Sequence, residues 1–412
     1  MLGALGERPF RLLWFGQTAS RLGDGLIPVA LAFAVLELRG SARDLGLVLA
    51  TYVVSEVAFI LVGGVWADRL PRRLLMLGCD VVRAWAQLAI AFLVITDSVT
   101  LTHFVLTAAV MGAGSAFFRP ASTGLVPQAV SAGRLQQANA LISLSRSSIT
   151  VFGPALSGLL VVLVGAGWVF AINAVTYLAS AAFLAFLRVA PAARSARQTF
   201  ARELLEGFAE VRSRSWVAAA LACFAVSNTG IAAYFVLGPV VAEQELGGAA
   251  AWGIALTGGA IGGVAGAMLA LRFQPRYPLR WSFGVGVLFG LPLLALIPPV
   301  PLLVLAVAGG LSVLSIELGN ALWSTTLQER IPEHALSRVS AYDWMVSLVF
   351  MPLGYALAGP LAHRIGIDAT LALAAGVTIA ANVGVLALAN VRNLPRRGMP
   401  VEEARQPTPA PA

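Results

Sequence analysis

The stretch GGVWADRLPRR, residues 63–73, sets one aspartate and three arginines directly behind a run of apolar residues. Elsewhere charge is sparse. The 412 residues are 58% hydrophobic and 12% charged, with a mean hydropathy of +0.83. So little polar surface cannot cover soluble domains of this length, which makes lipid the better solvent. A helix crosses the hydrocarbon with about 20 apolar residues, and the run ending at Trp66 is one of twelve such stretches. They lie at roughly 10–36, 44–66, 73–96, 99–118, 137–163, 167–188, 216–241, 250–271, 281–298, 301–323, 340–362 and 368–391. The alternating polarity of a membrane barrel is not seen. The expected fold is therefore an all-α membrane protein with twelve transmembrane helices.

All 28 basic residues are arginine. With a cytoplasmic N-terminus, 22 of them fall on the cytoplasmic side: Arg8 and Arg11; Arg69, Arg72 and Arg73; Arg119 and Arg134; six from Arg188 to Arg214; Arg272, Arg276 and Arg280; Arg330 and Arg338; and four from Arg392 on. Arg39, Arg43 and Arg364 fall on the other side, and Arg21, Arg83 and Arg146 within spans. Arginine resists translocation, so both termini are expected inside, in a multi-pass protein of a bacterial inner membrane. The net charge of +8 reports this topology and attraction to anionic headgroups, not nucleic-acid binding. The first apolar run carries Arg21 and Asp24 and lacks a small-residue cleavage site, so it is expected to stay as a span rather than be removed. Cys79 and Cys223 fall inside spans, and neither a disulfide framework nor a metal site is suggested.

Sliding the chain against itself by 204 to 206 residues aligns Arg69, Pro71 and Arg72 with Arg272, Pro275 and Arg276. It also aligns Pro127 and Arg134 with Pro332 and Arg338, Gly153-Pro154 with Gly359-Pro360, and Asp24 with Asn228. A shared offset points to two six-helix repeats. The expected organisation is a bundle at 1–188, a cytoplasmic linker at 189–215, a second bundle at 216–391 and a disordered tail at 392–412. In the linker, Phe200, Leu204, Phe208 and Val211 form one stripe of an amphipathic helix expected to lie on the membrane face.

The opening stretch resembles the G-x-x-x-D-R-x-G-R-R loop of the major facilitator superfamily, with Gly64, Asp68, Arg69, Arg72 and Arg73 in register and Pro71 where that family usually has glycine. GPALSG at 153–158 is similar to the glycine-proline motif of drug/proton antiporters, through Gly153, Pro154 and Gly158, with Ser157 in place of one glycine. With ANA at 138–140 and SRLGD at 20–24, the pattern is closest to the bacterial efflux branch of enterobactin exporters and macrolide efflux proteins. The resemblance implies two bundles that rock around a central cavity. Under it, the charged turn is a cytoplasmic gate latch; from charge alone it is equally an inside anchor. Asp80, Arg83, Arg146 and Asp343 join it as expected gate or structural charges.

Ionisable groups in mid-span cost on the order of a few kcal/mol each, so each is a site candidate. Gln17, Arg21, Asp24 and Pro28 form one polar stripe on the first span. Asp24 is either a proton carrier or a static partner of Arg21. Glu56 lies about 18 Å above Asp68 at helical rise and has no arginine within a turn, which favours proton coupling over a local pair and leaves a partner on another helix open. Glu317 and Asn320 share a stripe in the tenth span, and Asn228, Tyr234 and Phe235 lie in the seventh. These five, with Gln17 and Arg21, are the candidate cavity lining, each equally capable of ordinary interhelical packing.

The favoured function is a secondary exporter of an amphipathic small molecule, a drug, macrolide or siderophore, driven by protons through alternating access. It needs no cofactor beyond the proton gradient, and its expected partners are substrate, protons and the bilayer, with the protein acting as a monomer. Without lysine there is no GxxxxGK[ST] loop, so this chain does not itself drive transport with ATP. No nucleophile-base or metal constellation supports an enzyme. Proton-coupled uptake is the main alternative, and a non-transporting sensor a weaker one.

Overall fold

A computed structural model describes residues 2–39, 41–188, 209, 211–297, 301–331, 339, 342–343, 345–346 and 349–396, with the backbone alone for Leu2, Arg39, Leu61, Gly64, Val65, Ala67, Asp68, Arg69, Ala132 and Gln136. The first half contains α1 (Arg8–Arg39), α2 (Ala42–Arg69), α3 (Arg72–Ile95), α4 (Leu101–Ala129), α5 (Leu135–Val164) and α6 (Ala166–Phe186). The second contains α7 (Ser215–Val241), α8 (Ala249–Ala270), α9 (Pro278–Ala295), α10 (Leu302–Arg330), α11 (Met351–Ile365) and α12 (Ile367–Ala387). Ten of these are long and apolar enough to cross a membrane; α2 runs 28 residues, and α11 covers the later part of the span expected at 340–362. Outward-facing side chains such as Trp85, Phe92 and Leu303 are at least 66% exposed, as lipid-facing residues are. The linker stripe at Phe200, Leu204 and Phe208 lies outside the described residues, as does the tail from 397 on. Val211 is described, and it shares a buried cluster with Val217.

Two elements differ from the expected spans. Helix α4 continues to Ala129 through Pro120 and Pro127 instead of stopping near Phe118. Each proline removes only one N–H, and in a packed membrane helix its neighbours absorb the break. Here Gly63 of α2 lies against the Ala116 carbonyl that Pro120 cannot bond, leaving no room there for a side chain. As a result Arg119 is a residue of the α4 helix, not of the loop after it. Helix α9 is broken in the other sense: α-helix over Pro278–Gly286, a 3-10 turn over Val287–Gly290, then Leu291–Ala295. The turn precedes Pro292, whose missing N–H ends the regular ladder.

The halves repeat one packing plan. In the first, α1 packs on α5 and α6, α2 on α4, and α3 on α4 and α6; in the second, α7 packs on α11 and α12, α8 on α10, and α9 on α10 and α12. The structural offset is not constant, which corrects the alignment read from sequence. Gly23 against Asn173 and Thr176 is matched by Gly230 against Ala374 and Thr378, and Gly46 against Tyr355 by Gly253 against Pro154. Both glycine pairs are 207 residues apart. Gly158 against Ala249 and Ala250 is matched by Gly359 against Ala42 and Arg43, at an offset of 201. Gly165 and Gly366, also 201 apart, both hold the turn before a last span at φ 84° and 87°, where a side chain is disfavoured. The six-residue slip falls where α9, at 18 residues, is shorter than α3, at 24. Gly359 is therefore the mate of Gly158, not Gly153, and Asp24 is the mate of Ile231, not Asn228.

The ends of the molecule pack differently. One cluster fills the end distant from the termini and draws on both halves, from Leu26, Val48 and Phe170 to Val236, Trp252 and Tyr355. At the end carrying the termini each half has its own core: Phe10, Leu13, Met76 and Leu125 in one, Val217, Phe283, Trp323 and Leu327 in the other. Among the described residues, the buried core runs across both halves at the distal end and is divided between them at the terminal end.

Candidate functional site

Helix α1 touches α2, α4, α5 and α6 of its own half and α7 and α8 of the other. Its exposed residues therefore look into the space these helices enclose, not into lipid. Asp24 is one of them. Its carboxylate accepts a hydrogen bond from the Tyr177 hydroxyl of α6. The expected static partner, Arg21, turns instead to Gln17 Oε1 at 3.1 Å. Gln17 is only 3% exposed and donates to Ser122 Oγ at 2.9 Å, so it braces α1 against α4 rather than lining the cavity.

Beneath Tyr177 lies a second charged group. Arg83 of α3 donates to Asp80 Oδ1 at 2.6 Å, both residues being buried. The guanidinium stacks between the rings of Phe118, at 4.3 Å, and Tyr177, at 4.6 Å. Expected at the cytoplasmic end of the span as structural or gate charges, this pair is a buried ion pair inside the first half, against α4 and α6. Helix periodicity turns it inward, toward helices that the sequence does not reveal as neighbours.

Glu56 is also not alone. The Arg119 guanidinium of α4 approaches its Oε1 to 2.8 Å, with the carboxylate buried and the guanidinium 59% exposed. That oxygen receives no well-directed hydrogen bond, so the contact is an ion pair more than a bond. The sequence reading missed Arg119 because Pro120 suggested that the helix had ended. One turn away, Tyr52 and Ser115 share a hydrogen bond of 3.0 Å.

In the second half, the buried polar residues among those described are uncharged: Ser227, Ser282, Ser312, Ser315, Thr326, Thr370, Thr378 and Asn382. Glu317 and Asn320 are exposed and line a recess of about 350 Å3 with Ala267, Ala270, Leu271, Ala321 and Ser324. Asn228 is half-buried, while its neighbour Ser227 accepts from Asn382 at 3.2 Å. Tyr234 is withdrawn from the cavity lining: it is buried in the distal core, 4.9 Å from Trp252, with Phe235 partly exposed beside it. Burial of its large ring wins over exposure of one hydroxyl.

Among the expected gate residues, Arg72 donates to the Gly124 carbonyl at 2.7 Å and Arg73 to that of Leu187 at 2.6 Å, tying α3 to α4 and to the end of α6. Cations suit such helix C-termini. The backbones of Gly64, Asp68 and Arg69 end α2, and their side chains lie outside the described residues. Pro71 caps α3 at φ −57°, the angle its ring prescribes, so this turn has no need of glycine. Arg146 is exposed on α5 within electrostatic reach of Arg21. Asp343 accepts from Trp323 Nε1 at 3.1 Å, which anchors it to α10.

The glycine-proline motif sits at the seam. A Cβ on Gly158 would lie 2.6 Å from the Ala249 carbonyl oxygen, and one on Gly253 2.5 Å from that of Pro154. On its other side α5 meets α1, where Gly153 faces Gly25 and the Ser157 hydroxyl donates to the Leu26 carbonyl.

Two six-helix repeats, joined at one end and parted at the other around exposed polar side chains, define a multi-pass membrane transporter. The Major Facilitator Superfamily model matches residues 13–349, and the chain belongs to that family. It is 25% identical to the multidrug efflux pump Tap of Mycolicibacterium fortuitum, over 88% of this chain and 91% of that one. It is 23% identical to macrolide efflux protein A of Streptococcus pyogenes, over 87% and 90%. In fold it is similar to the nucleoside transporter NupG, with a TM-score of 0.74 at 14% identity over 92% and 98% of the two chains. It is also similar to a bacterial homologue of the lysosomal transporter Spinster, described as inward-facing and unoccupied, with a TM-score of 0.69 at 15% identity over 93% and 96%.

Proposed function

We propose that this protein is a proton-coupled exporter of amphipathic small molecules, and that Asp24 carries the coupling proton. The supporting observation is the place of Asp24: a carboxylate exposed to the central space, tethered by a tyrosine rather than neutralised by an arginine. Such a group exchanges protons with water in the cavity yet is favoured neutral when the cavity closes. Glu56, held by Arg119, is assigned a supporting part. The efflux names of the Tap and macrolide relatives favour export. The arginine bias favours an inner membrane with the terminal end cytoplasmic, so the conformation described here is the inward-open one. The exposed Glu317 and Asn320, with their apolar neighbours, suit a lipophilic cation.

Reconstitution in liposomes tests this reading. With an imposed proton gradient, a macrolide and a lipophilic cationic dye are expected to move against the proton flow, and Asp24→Asn is expected to slow that movement at least about ten-fold while leaving insertion intact. Equal transport without a gradient, or unchanged transport by Asp24→Asn, contradicts it. Substrate movement with the protons instead would establish uptake.

A further inference from the structure

We propose that Asp80 sets the proton affinity of Asp24 by holding the arginine that would otherwise neutralise it. The inference rests on the reading of Asp24 as proton carrier and adds a positioning residue to it.

Arg83 stands between two carboxylates. Its guanidinium is bonded to Asp80 on one side, and its flat face lies under the ring of Tyr177, whose hydroxyl holds Asp24 on the other. Its stem runs past Gly114, where a Cβ would sit 3.0 Å from both Cγ and Cδ, so a bare backbone keeps this lane open. The arrangement is not saturated. Arg83 Nε is buried without a hydrogen-bond partner, and the Ser180 hydroxyl lies within bonding reach of Asp80. A guanidinium with a spare donor can shift its allegiance; one bonded on every edge cannot.

The other groups around this cluster do not take its place. On α1, Arg21 donates to Gln17 and lies within electrostatic reach of both Arg146 of α5 and Asp24; from α4, Arg119 also reaches Asp24 electrostatically but is engaged by Glu56 of α2. Tyr52 of α2, Cys79 of α3 and Tyr177 of α6 complete the titratable set, and these are neutral at ordinary pH. Arg83 is then the cation that lies between the two carboxylates, and because Asp80 holds it, the proton belongs on Asp24.

The two ends of this balance give opposite signs. Removing the Asp80 charge frees Arg83 to pair with Asp24, which then releases its proton more readily. Removing the Arg83 charge leaves both carboxylates uncompensated, and Asp24 grips its proton more tightly. The measurement is the carboxyl C=O stretch of Asp24, followed by infrared difference spectroscopy against pH on the full chain in liposomes and assigned by its loss in Asp24→Asn. Asp80→Asn is expected to lower the titration midpoint by about one pH unit, a ten-fold loss of proton affinity; Asp80→Glu should stay near wild type, and Arg83→Gln should raise the midpoint. A midpoint unmoved in Asp80→Asn, or moved the same way by both neutralising variants, overturns the proposal. If Asp80→Asn does not insert, Arg83→Gln decides alone: a raised midpoint supports the proposal and an unchanged one overturns it. If the wild type shows no titrating Asp24 band, it is the proton-carrier reading itself that fails.

Discussion

The two halves of this transporter share a scaffold but not a charge distribution. Their helices pair in the same order, and the seam glycines Gly46 and Gly253, Gly158 and Gly359, recur as mates. Under the same offsets, Asp24 and Tyr177 correspond to Ile231 and Thr378, and Glu56 and Arg119 to Gly263 and Asn320. Among the described residues, the buried charged ones, Glu56, Asp80 and Arg83, all lie in the first half. Rocking motion needs a symmetric frame, since closing one end opens the other. Proton handling needs only one site, and a second set of charges in oil would cost stability without adding coupling. The second half keeps exposed polar groups, Glu317 and Asn320, that line a recess of its own.

The shared frame breaks most visibly at the seam. Gly46→Leu and Gly253→Leu each push a side chain into the facing carbonyl of the other half, so each is expected to cut transport roughly ten-fold or more. The two losses should match. A large effect from one and none from the other, in the liposome assay, would show that the seams are not mates.

The unequal chemistry is sharpened next by Glu56 and Arg119. Arg119→Ala leaves a buried carboxylate without its cation, and detergent-solubilised protein should lose about 1–3 kcal/mol, the exposure of Arg119 discounting the full cost of a broken buried pair. The double variant Glu56→Gln with Arg119→Asn should recover most of that loss in thermal unfolding. Additive losses instead would mean that the ion pair does not govern this site.

A smaller effect concerns the terminal end, where each half is tied by its own ion pair. Glu7 meets Arg134 at 3.4 Å, and Glu329 meets Arg396 at 3.0 Å. The Ser131 hydroxyl and N–H, with Arg134, hold the Glu7 carboxyl below the usual carboxylate range. A lowered folded pKa means that its contribution is present above the unfolded value and lost as pH falls through the folded one. Glu7→Gln should therefore remove a slight acid-side dependence of thermal stability while leaving neutral-pH transport unchanged. A variant whose acid sensitivity matches wild type would show that this tie carries no stability.

Most of the helical plan was legible because hydropathy reports crossings directly, and each expected span falls on a helix. Register was less so. A constant offset averaged over two real ones, 207 and 201, because the shortened α9 hides its deletion between similar apolar runs. The candidate site was half legible: mid-span cost flagged Asp24, Glu56 and Glu317, while Asp80 and Arg83 read as structural or gate charges, because partners across helices are set by packing, which sequence does not show. Tyr177 did carry a signal, since Asn173, Thr176, Tyr177 and Ser180 recur at helical spacing in an otherwise apolar span. Arg119 carried a misleading one in Pro120, and Tyr234 was drawn into the core by its ring.

The proposal that proton handling is confined to the first half is tested most directly by counting protons released when substrate binds to the purified protein at fixed pH in weakly buffered detergent. Wild type and Glu317→Gln at saturating substrate are expected to release one proton each, and Asp24→Asn none. Release that persists in Asp24→Asn but disappears in Glu317→Gln would contradict the account.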